Sequence, residues 1–111
     1  MLNNKYSYIP KELLDVGYSL DSMGISEIAW KSQDALKIIE FLGNKGYPIL
    51  GGDVYTLDKE KIESTYDSWY MNKSTTEDFV ETSIKKAFEY IENYSISNGD
   101  KFIYSIIFEL E

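Results

Sequence analysis

The chain has 111 residues, and its composition of 43% hydrophobic, 15% aromatic and 27% charged residues is typical of one folded domain. It contains no Cys, no His and no Arg, which excludes disulfides, thiolate and Ser–His nucleophiles, and metal sites built from Cys or His. With 11 Lys against 19 Asp and Glu, the net charge of −8 repels nucleic acid and attracts basic proteins.

The sequence shows no targeting segment. No apolar run approaches the length of about 20 residues that a membrane-spanning helix needs. The first residues also lack the apolar core of a secretory signal. We therefore expect a cytoplasmic protein that binds neither membranes nor nucleic acid, organised as one domain over residues 1–111.

The N-terminal quarter predicts a short helix, a loop and one strand. Residues 9–16 carry Pro10 at a first helical position and are followed by Gly17, which favours a helix that ends there. Residues 18–25 are rich in Ser, Asp and Gly and predict a loop. Residues 27–30 predict a short strand.

An amphipathic helix is predicted after this strand. Ser32 occupies an N-cap position, and Asp34 lies in the first turn, where it favours the helix dipole. Gly46 is placed to end the helix after roughly 12 residues. The apolar positions with helical spacing are Ala35, Leu36, Ile38, Ile39 and Leu42.

A β-hairpin is predicted next. Residues 47–50 and 53–57 read as one extended segment that the Gly51-Gly52 pair breaks or bulges. A polar turn follows it. Residues 62–66 predict the returning strand, which residues 66–70 either extend or end in a loop.

A second long helix and a last strand complete the pattern. Ser74 and Glu77 match a capping box at the helix start. Residues 101–110 are apolar on both faces, as in a central strand or an edge strand covered by a helix. The apolar stripe of the helix consists of Phe79, Val80, Ile84, Ala87, Phe88, Ile91 and Tyr94. The order predicts an α+β fold with two long helices packed on a four- to five-stranded mixed or antiparallel sheet, and a short N-terminal helix.

Two segments carry candidate functional residues. In the first, the Gly51-Gly52 pair lets the backbone approach a ligand, and Asp53 follows as a free carboxylate, although a β-bulge explains the same pattern. The known phosphate-binding glycine patterns are absent. In the second, residues 66–70 place three aromatic side chains around Asp67, and such residues either anchor protein interfaces or fill a core.

A set of carboxylates in this region leaves an enzyme hypothesis open. Paired carboxylates carry glycosidase chemistry or hold Mg²⁺ or Ca²⁺ in other proteins. No EF-hand loop is present, and the middle of the set is typical of a solvated turn, so no catalytic residue, metal site or cofactor is predicted. The set consists of Asp53, Asp58, Glu60, Glu63 and Asp67.

Four segments carry motifs beyond these general patterns: residues 27–30, 32–36, 49–55 and 66–70. Together they resemble the immunity protein 40 family, which comprises antidotes from bacterial polymorphic toxin systems. The resemblance implies a small cytoplasmic protein that binds a cognate toxin domain and blocks it, without catalysis or a cofactor. The motif positions, which belong to a shared surface or to the scaffold, are Gly52, Asp53, Tyr55, Asp67, Trp69 and Tyr70.

The sequence therefore favours a small acidic antidote that neutralises a toxin domain by direct contact. A basic nuclease is one toxin that the charge suits. The alternatives are a regulatory or structural interaction module and a hydrolase that uses Asp53 and Asp67; the oligomeric state is left open. The predicted partner-binding residues are Asp53, Tyr55, Tyr66, Asp67, Trp69 and Tyr70, with Gly51 and Gly52 as a structural motif.

Overall fold

One antiparallel sheet of six strands carries three helices on one face in the computed structural model, which describes residues 4–74 and 76–110. In chain order the elements are a 3₁₀ turn (Asn4–Tyr8), α1 (Lys11–Asp15), β1 (Tyr18–Ser19), a second 3₁₀ turn (Asp21–Met23), β2 (Ile28–Lys31), α2 (Ser32–Asn44), β3 (Ile49–Asp58), β4 (Lys61–Tyr70), α3 (Phe79–Asn98), β5 (Phe102–Ser105) and β6 (Ile107–Phe108). The predicted α+β class with two long helices is confirmed.

The strand order of the sheet is β1-β2-β5-β3-β4, and β6 pairs with β3. Strand β5 is therefore central, between β2 and β3, whereas β4 lies at an edge with β3 as its neighbour. In the described residues, the other edge of the ten-residue strand β4 pairs with no strand.

The predicted number of strands, four to five, is too low for two reasons. Residues Tyr18–Ser19 were expected in a loop, but they pair with β2 through the Tyr18–Ala29 register. The expected single strand over residues 101–110 is divided at Ile106, because β5 pairs with two strands and β6 with β3. A two-residue strand is stabilised by its neighbour and leaves no periodic pattern in the sequence.

The helix ends differ from the expected ones at their N-termini. Helix α2 includes Ser32, and Lys31 holds the cap position without a side-chain bond, so the predicted Ser32 cap is wrong by one residue. The predicted capping box before α3 is also wrong, because the helix begins at Phe79 and Ser74 Oγ instead accepts a hydrogen bond from the Thr76 amide at 3.2 Å. Thr75, within that box, lies outside the described residues.

The predicted C-terminus of α2 is confirmed. Gly46 has a φ of 82°, a left-handed conformation that glycine adopts without steric cost. The Gly46 amide donates to the Gly43 carbonyl at 3.0 Å, and the Tyr47 amide donates to the Leu42 carbonyl at 3.0 Å. These bonds satisfy carbonyl groups that the helix end leaves free, and the chain turns into β3.

Two cores lie on opposite faces of the sheet. The larger one, between helices and sheet, includes Trp30, Ile38, Val54, Ile91 and Tyr104. The smaller one consists of Leu20, Ala29, Tyr55 and Ile103, against which Tyr18, Met23 and Ile25 pack. Because β5 contributes side chains to both cores, the expectation of a central strand with two apolar faces is confirmed.

Candidate partner-binding surface

Edge strand β4 contains a bulge opposite the middle of β3. The register passes from the pair Tyr55–Ser64 to the pair Asp53–Ser68, so three residues of β4 lie opposite one residue of β3. Tyr66 lies at the centre of this bulge and has a positive φ of 67°. A bulky residue rarely adopts this conformation, which requires support from its surroundings.

The hydroxyl groups of the two residues before Tyr66 provide that support. Thr65 Oγ1 donates a hydrogen bond of 2.8 Å to the Val54 carbonyl and accepts one of 3.0 Å from the Asp67 amide. Ser64 Oγ accepts a hydrogen bond of 3.0 Å from the Tyr66 amide. The strained backbone is thus held by specific side chains, and strain of this kind clusters at functional sites.

The bulge exposes two aromatic side chains of the predicted site. Tyr66 is 92% exposed and Tyr70 is 67% exposed. Asp67, between them, is also exposed. We refer to Tyr66, Asp67 and Tyr70 together as the β4 surface.

Trp69 belongs to the scaffold behind this surface. Its side chain is 5% exposed and lies in the core between helices and sheet. The indole stacks on the Tyr90 ring of α3 at a centroid distance of 4.9 Å. A side chain buried to this extent has little surface left for direct contact with a partner.

The two glycines of the first motif make room for this packing. A Cβ atom at Gly52 would lie 2.5 Å from Trp69 Cη2 and would also overlap the Ser105 carbonyl oxygen. A Cβ atom at Gly51 would overlap the Trp69 carbonyl oxygen, and the register of β3 with β6 shifts between Ile49 and Gly51. This register shift is the irregularity that the β-bulge interpretation of the glycine pair expects.

Asp67 connects the β4 surface to helix α3. Tyr94 Oη donates a hydrogen bond of 2.8 Å to Asp67 Oδ2. The Tyr94 ring packs edge-on against Phe102 at 5.3 Å and Tyr104 at 5.9 Å. Burial, followed by the hydrogen bond to Asp67, raises the pKa of Tyr94 above its usual value. The carboxylate orientation is therefore set by a chain of contacts that runs into the core.

Asp53 and Tyr55 lie on the opposite face of the sheet from Asp67. Val54 points into the core below the helices, so strand alternation directs its neighbours Asp53 and Tyr55 to the other side. Tyr55 is 4% exposed, and burial, then the nearby Asp53 charge, raises its pKa. Strand alternation therefore does not place Asp53 and Asp67 side by side, either on one surface or as a hydrolytic pair.

The remaining carboxylates of the predicted set lie around the hairpin turn. Asp58, Glu60 and Glu63 are exposed, and Glu63 pairs with Lys61 at 3.5 Å. Within residues 4–74 and 76–110, no three acidic side chains converge closely enough to hold a metal ion. Among the helices of this same part of the chain, none combines the length and apolar character needed to cross a membrane.

Sequence reasoning missed Tyr90 as a support of the site. It assigned Tyr94 to the core stripe of α3, but Tyr90 was not included, although the two rings stack at 5.9 Å. Their spacing of four residues on one helix was the available signal. It could not be used because the partner of the stack, Trp69, comes from a strand whose position the sequence does not reveal.

Comparison with known proteins identifies one family. The family model described as immunity protein 40 matches residues 19–108, a range that includes α2, α3 and strands β2 to β6. No curated protein and no solved structure matches the chain.

Proposed function

The chain belongs to the immunity protein 40 family, and from this membership we propose that it neutralises a cognate toxin domain of a bacterial polymorphic toxin system by direct contact. The proposal includes a cytoplasmic site of action and stoichiometric inhibition, without catalysis or a cofactor. Membership of an immunity protein family suggests a toxin-neutralising antidote. The exposed β4 surface and the net charge of −8 support inhibition by direct contact.

The observation that carries the proposal is the exposed side chain of Tyr66. It is 92% exposed, and its backbone adopts a positive φ that costs a non-glycine residue free energy. The fold gains little burial from this side chain in return. Tyrosines displayed on a rigid backbone are typical anchors of protein interfaces, because they bring a large contact area with few rotatable bonds.

The other members of the β4 surface support the same role. The backbone of Tyr70 is fixed by Lys86, whose Nζ donates a hydrogen bond of 3.0 Å to the Tyr70 carbonyl. The Tyr70 side chain remains 67% exposed. Asp67 is oriented by Tyr94. A preorganised surface loses less conformational entropy on binding than a flexible one. We propose that Tyr66, Asp67 and Tyr70 contact the toxin, while Trp69, Gly51 and Gly52 hold their positions.

Net charge supports a basic toxin. The chain carries −8 at neutral pH, and complementary charge raises the rate of association between proteins. Many enzymes that act on nucleic acid carry a basic substrate groove, since the substrate backbone is a polyanion. A basic nuclease domain is therefore the class of toxin that we propose.

The test begins with capture of the partner from the native cells by the tagged, full-length chain, followed by mass spectrometry. A captured toxin domain is then purified and titrated with the chain. We expect its activity to fall linearly to zero at one equivalent. Full toxin activity at a tenfold molar excess of the chain would contradict the proposal, and capture of a non-toxic partner would favour a regulatory interaction module.

A further inference from the structure

A groove of about 790 Å³ lies between α2 and α3, on the side of the helices that faces away from the sheet. Its apolar surface comes from Gly43 of α2 and from Val80, Ile84 and Phe88 of α3. The three α3 residues recur at every fourth position and therefore form one stripe about 12 Å long. The groove has the dimensions of a binding site for about two turns of a helix.

This stripe is distinct from the one that builds the core. Helix α3 buries Phe79, Ala87 and Ile91. Phe88, which the sequence assigns to the core stripe, is 37% exposed, and Ile84 is only partly buried. The helix is thus apolar over a wider arc than its core contacts require.

The absence of a side chain at Gly43 shapes the α2 wall. A Cβ atom there would lie 3.1 Å from both Cδ1 and Cγ1 of Ile84, so a larger residue would displace the isoleucine. Gly43 lies in the last turn of α2, one residue before the helix ends at Asn44. Its presence allows the two helices to approach each other and leaves the apolar stripe accessible from outside.

Acidic side chains surround the apolar stripe. Five glutamates and a single lysine, Lys85, line the groove. None of the five glutamates forms an ion pair in the part of the chain that the structure describes, where the ion pairs of Lys11, Lys37, Lys61 and Lys73 involve other carboxylates. The five glutamates are Glu40, Glu77, Glu81, Glu89 and Glu92. Their charges are therefore available to a partner.

We propose that this groove binds a cationic amphipathic segment of the partner, whose apolar side chains seat on Val80, Ile84 and Phe88 while flanking Lys or Arg residues pair with the glutamates. Helix-in-groove recognition uses apolar anchors at this spacing. A second copy of the chain is a poor occupant, because its own surface is acidic. The inference rests on the proposed function only in identifying the partner as the toxin.

The groove and the β4 surface lie on opposite flanks of α3. Lys86 and Tyr94 contact β4 on one flank, and Ile84 and Phe88 line the groove on the other. An α-helix with its side chains is about 10–12 Å wide, and a standard interface covers about 800 Å² per partner. One toxin domain can therefore contact both surfaces across α3.

A defined peptide tests the groove without the toxin. A 14-residue helix with Leu on one face and Lys on the other is titrated into the isotope-labelled chain, beside a scrambled peptide of equal composition. We expect NMR shift changes centred on Val80, Ile84 and Phe88, and at least about tenfold weaker binding of the scrambled peptide. Equal binding of both peptides, or shift changes centred elsewhere, would overturn the inference.

Variants test the groove against the toxin. The double charge reversal Glu81→Lys/Glu89→Lys and the single change Phe88→Ser should each weaken toxin affinity by at least about 30-fold. The matched control, Glu12→Lys/Glu60→Lys, alters the net charge equally but lies in α1 and the hairpin turn, and we expect less than about threefold loss. Circular dichroism verifies that each variant is folded.

The outcomes separate the two proposals. If the wild-type chain inhibits the toxin and the groove variants inhibit equally well, the groove inference is refuted and the proposed function stands. If the wild-type chain inhibits no toxin but the amphipathic peptide binds the groove selectively, the proposed function fails alone. A dimer in sedimentation experiments that Phe88→Ser dissociates would show that a second copy occupies the groove, which also refutes the inference.

Discussion

Replacing Tyr66 by glycine should preserve the fold and impair toxin binding. A left-handed backbone costs a non-glycine residue about 1–2 kcal/mol, and the glycine variant is free of this cost. Against this, the freedom of glycine in the unfolded chain costs about 0.5–1 kcal/mol. The side chain is 92% exposed, so its removal sacrifices little burial. The free energy of unfolding should therefore stay unchanged or rise by up to about 1.5 kcal/mol.

The toxin affinity of Tyr66→Gly should fall by at least about tenfold, since an interface anchor is lost. Urea denaturation followed by fluorescence of the buried Trp30 and Trp69 measures stability, and titration calorimetry measures affinity. Glu60→Gly is the matched control, because Glu60 has a similar φ of 71° in the hairpin turn. It should relieve the same strain and leave toxin affinity unchanged.

Two results would refute this reasoning. A loss of more than about 1 kcal/mol in the unfolding free energy of Tyr66→Gly would mean that the tyrosine stabilises the fold, despite its exposure. Unchanged toxin affinity in a folded Tyr66→Gly variant would mean that the β4 surface does not contact the toxin. The strained conformation would then serve only to interrupt the edge of the sheet, which a bulge protects from pairing with other chains.

Three further predictions concern the scaffold. Ser83→Ala should lower the unfolding free energy by about 1–3 kcal/mol relative to Ser95→Ala in urea titrations, because Ser83 Oγ is the acceptor of a buried strand amide, whereas Ser95 Oγ only donates to a carbonyl of its own helix. Gly52→Ala should cost about 3 kcal/mol or more and shift the Trp69 emission to longer wavelength, because the new methyl group overlaps its indole ring and a strand carbonyl. Burial raises the pKa of Tyr6 to about 12 and that of Tyr104 to about 12, so the folded state keeps phenolic protons that the unfolded state releases near pH 10. This contribution to the free energy of unfolding is fully present below about pH 10. It should fall by about 1.4 kcal/mol per pH unit for each tyrosine as the pH rises to about 12. Urea titrations across this pH range measure the fall.

Several features of the molecule could be predicted because they depend on residues that are neighbours in the chain. The apolar spacing of α2 and the glycine at its end are local patterns, and both are found in the structure. The hairpin of β3 and β4 follows from two extended segments on either side of a polar turn. The immunity protein 40 motifs are also local strings of residues, and the family they indicated is the one that the chain matches.

The start of α3 and the number of strands depended on tertiary contacts. The hydroxyl of Ser74 bonds within a turn that ends before the helix, which is an alternative that a capping pattern does not distinguish. Strands β1 and β6 have two residues each and are defined by their pairing with distant segments. Local sequence carries no record of such pairing.

The candidate site, too, could be predicted only in part from the sequence. The sequence by itself determined that aromatic and acidic residues cluster in residues 49–55 and 66–70, and that the chain is strongly acidic. Only the tertiary structure decided that Trp69 is buried, that Tyr66 is exposed, and that Asp53 and Asp67 lie on opposite faces. Side-chain direction alternates along a strand, so the face that each residue occupies is set by the pairing register and its bulge. That register arises from contacts between strands, and it becomes fixed when the whole sheet packs against its helices.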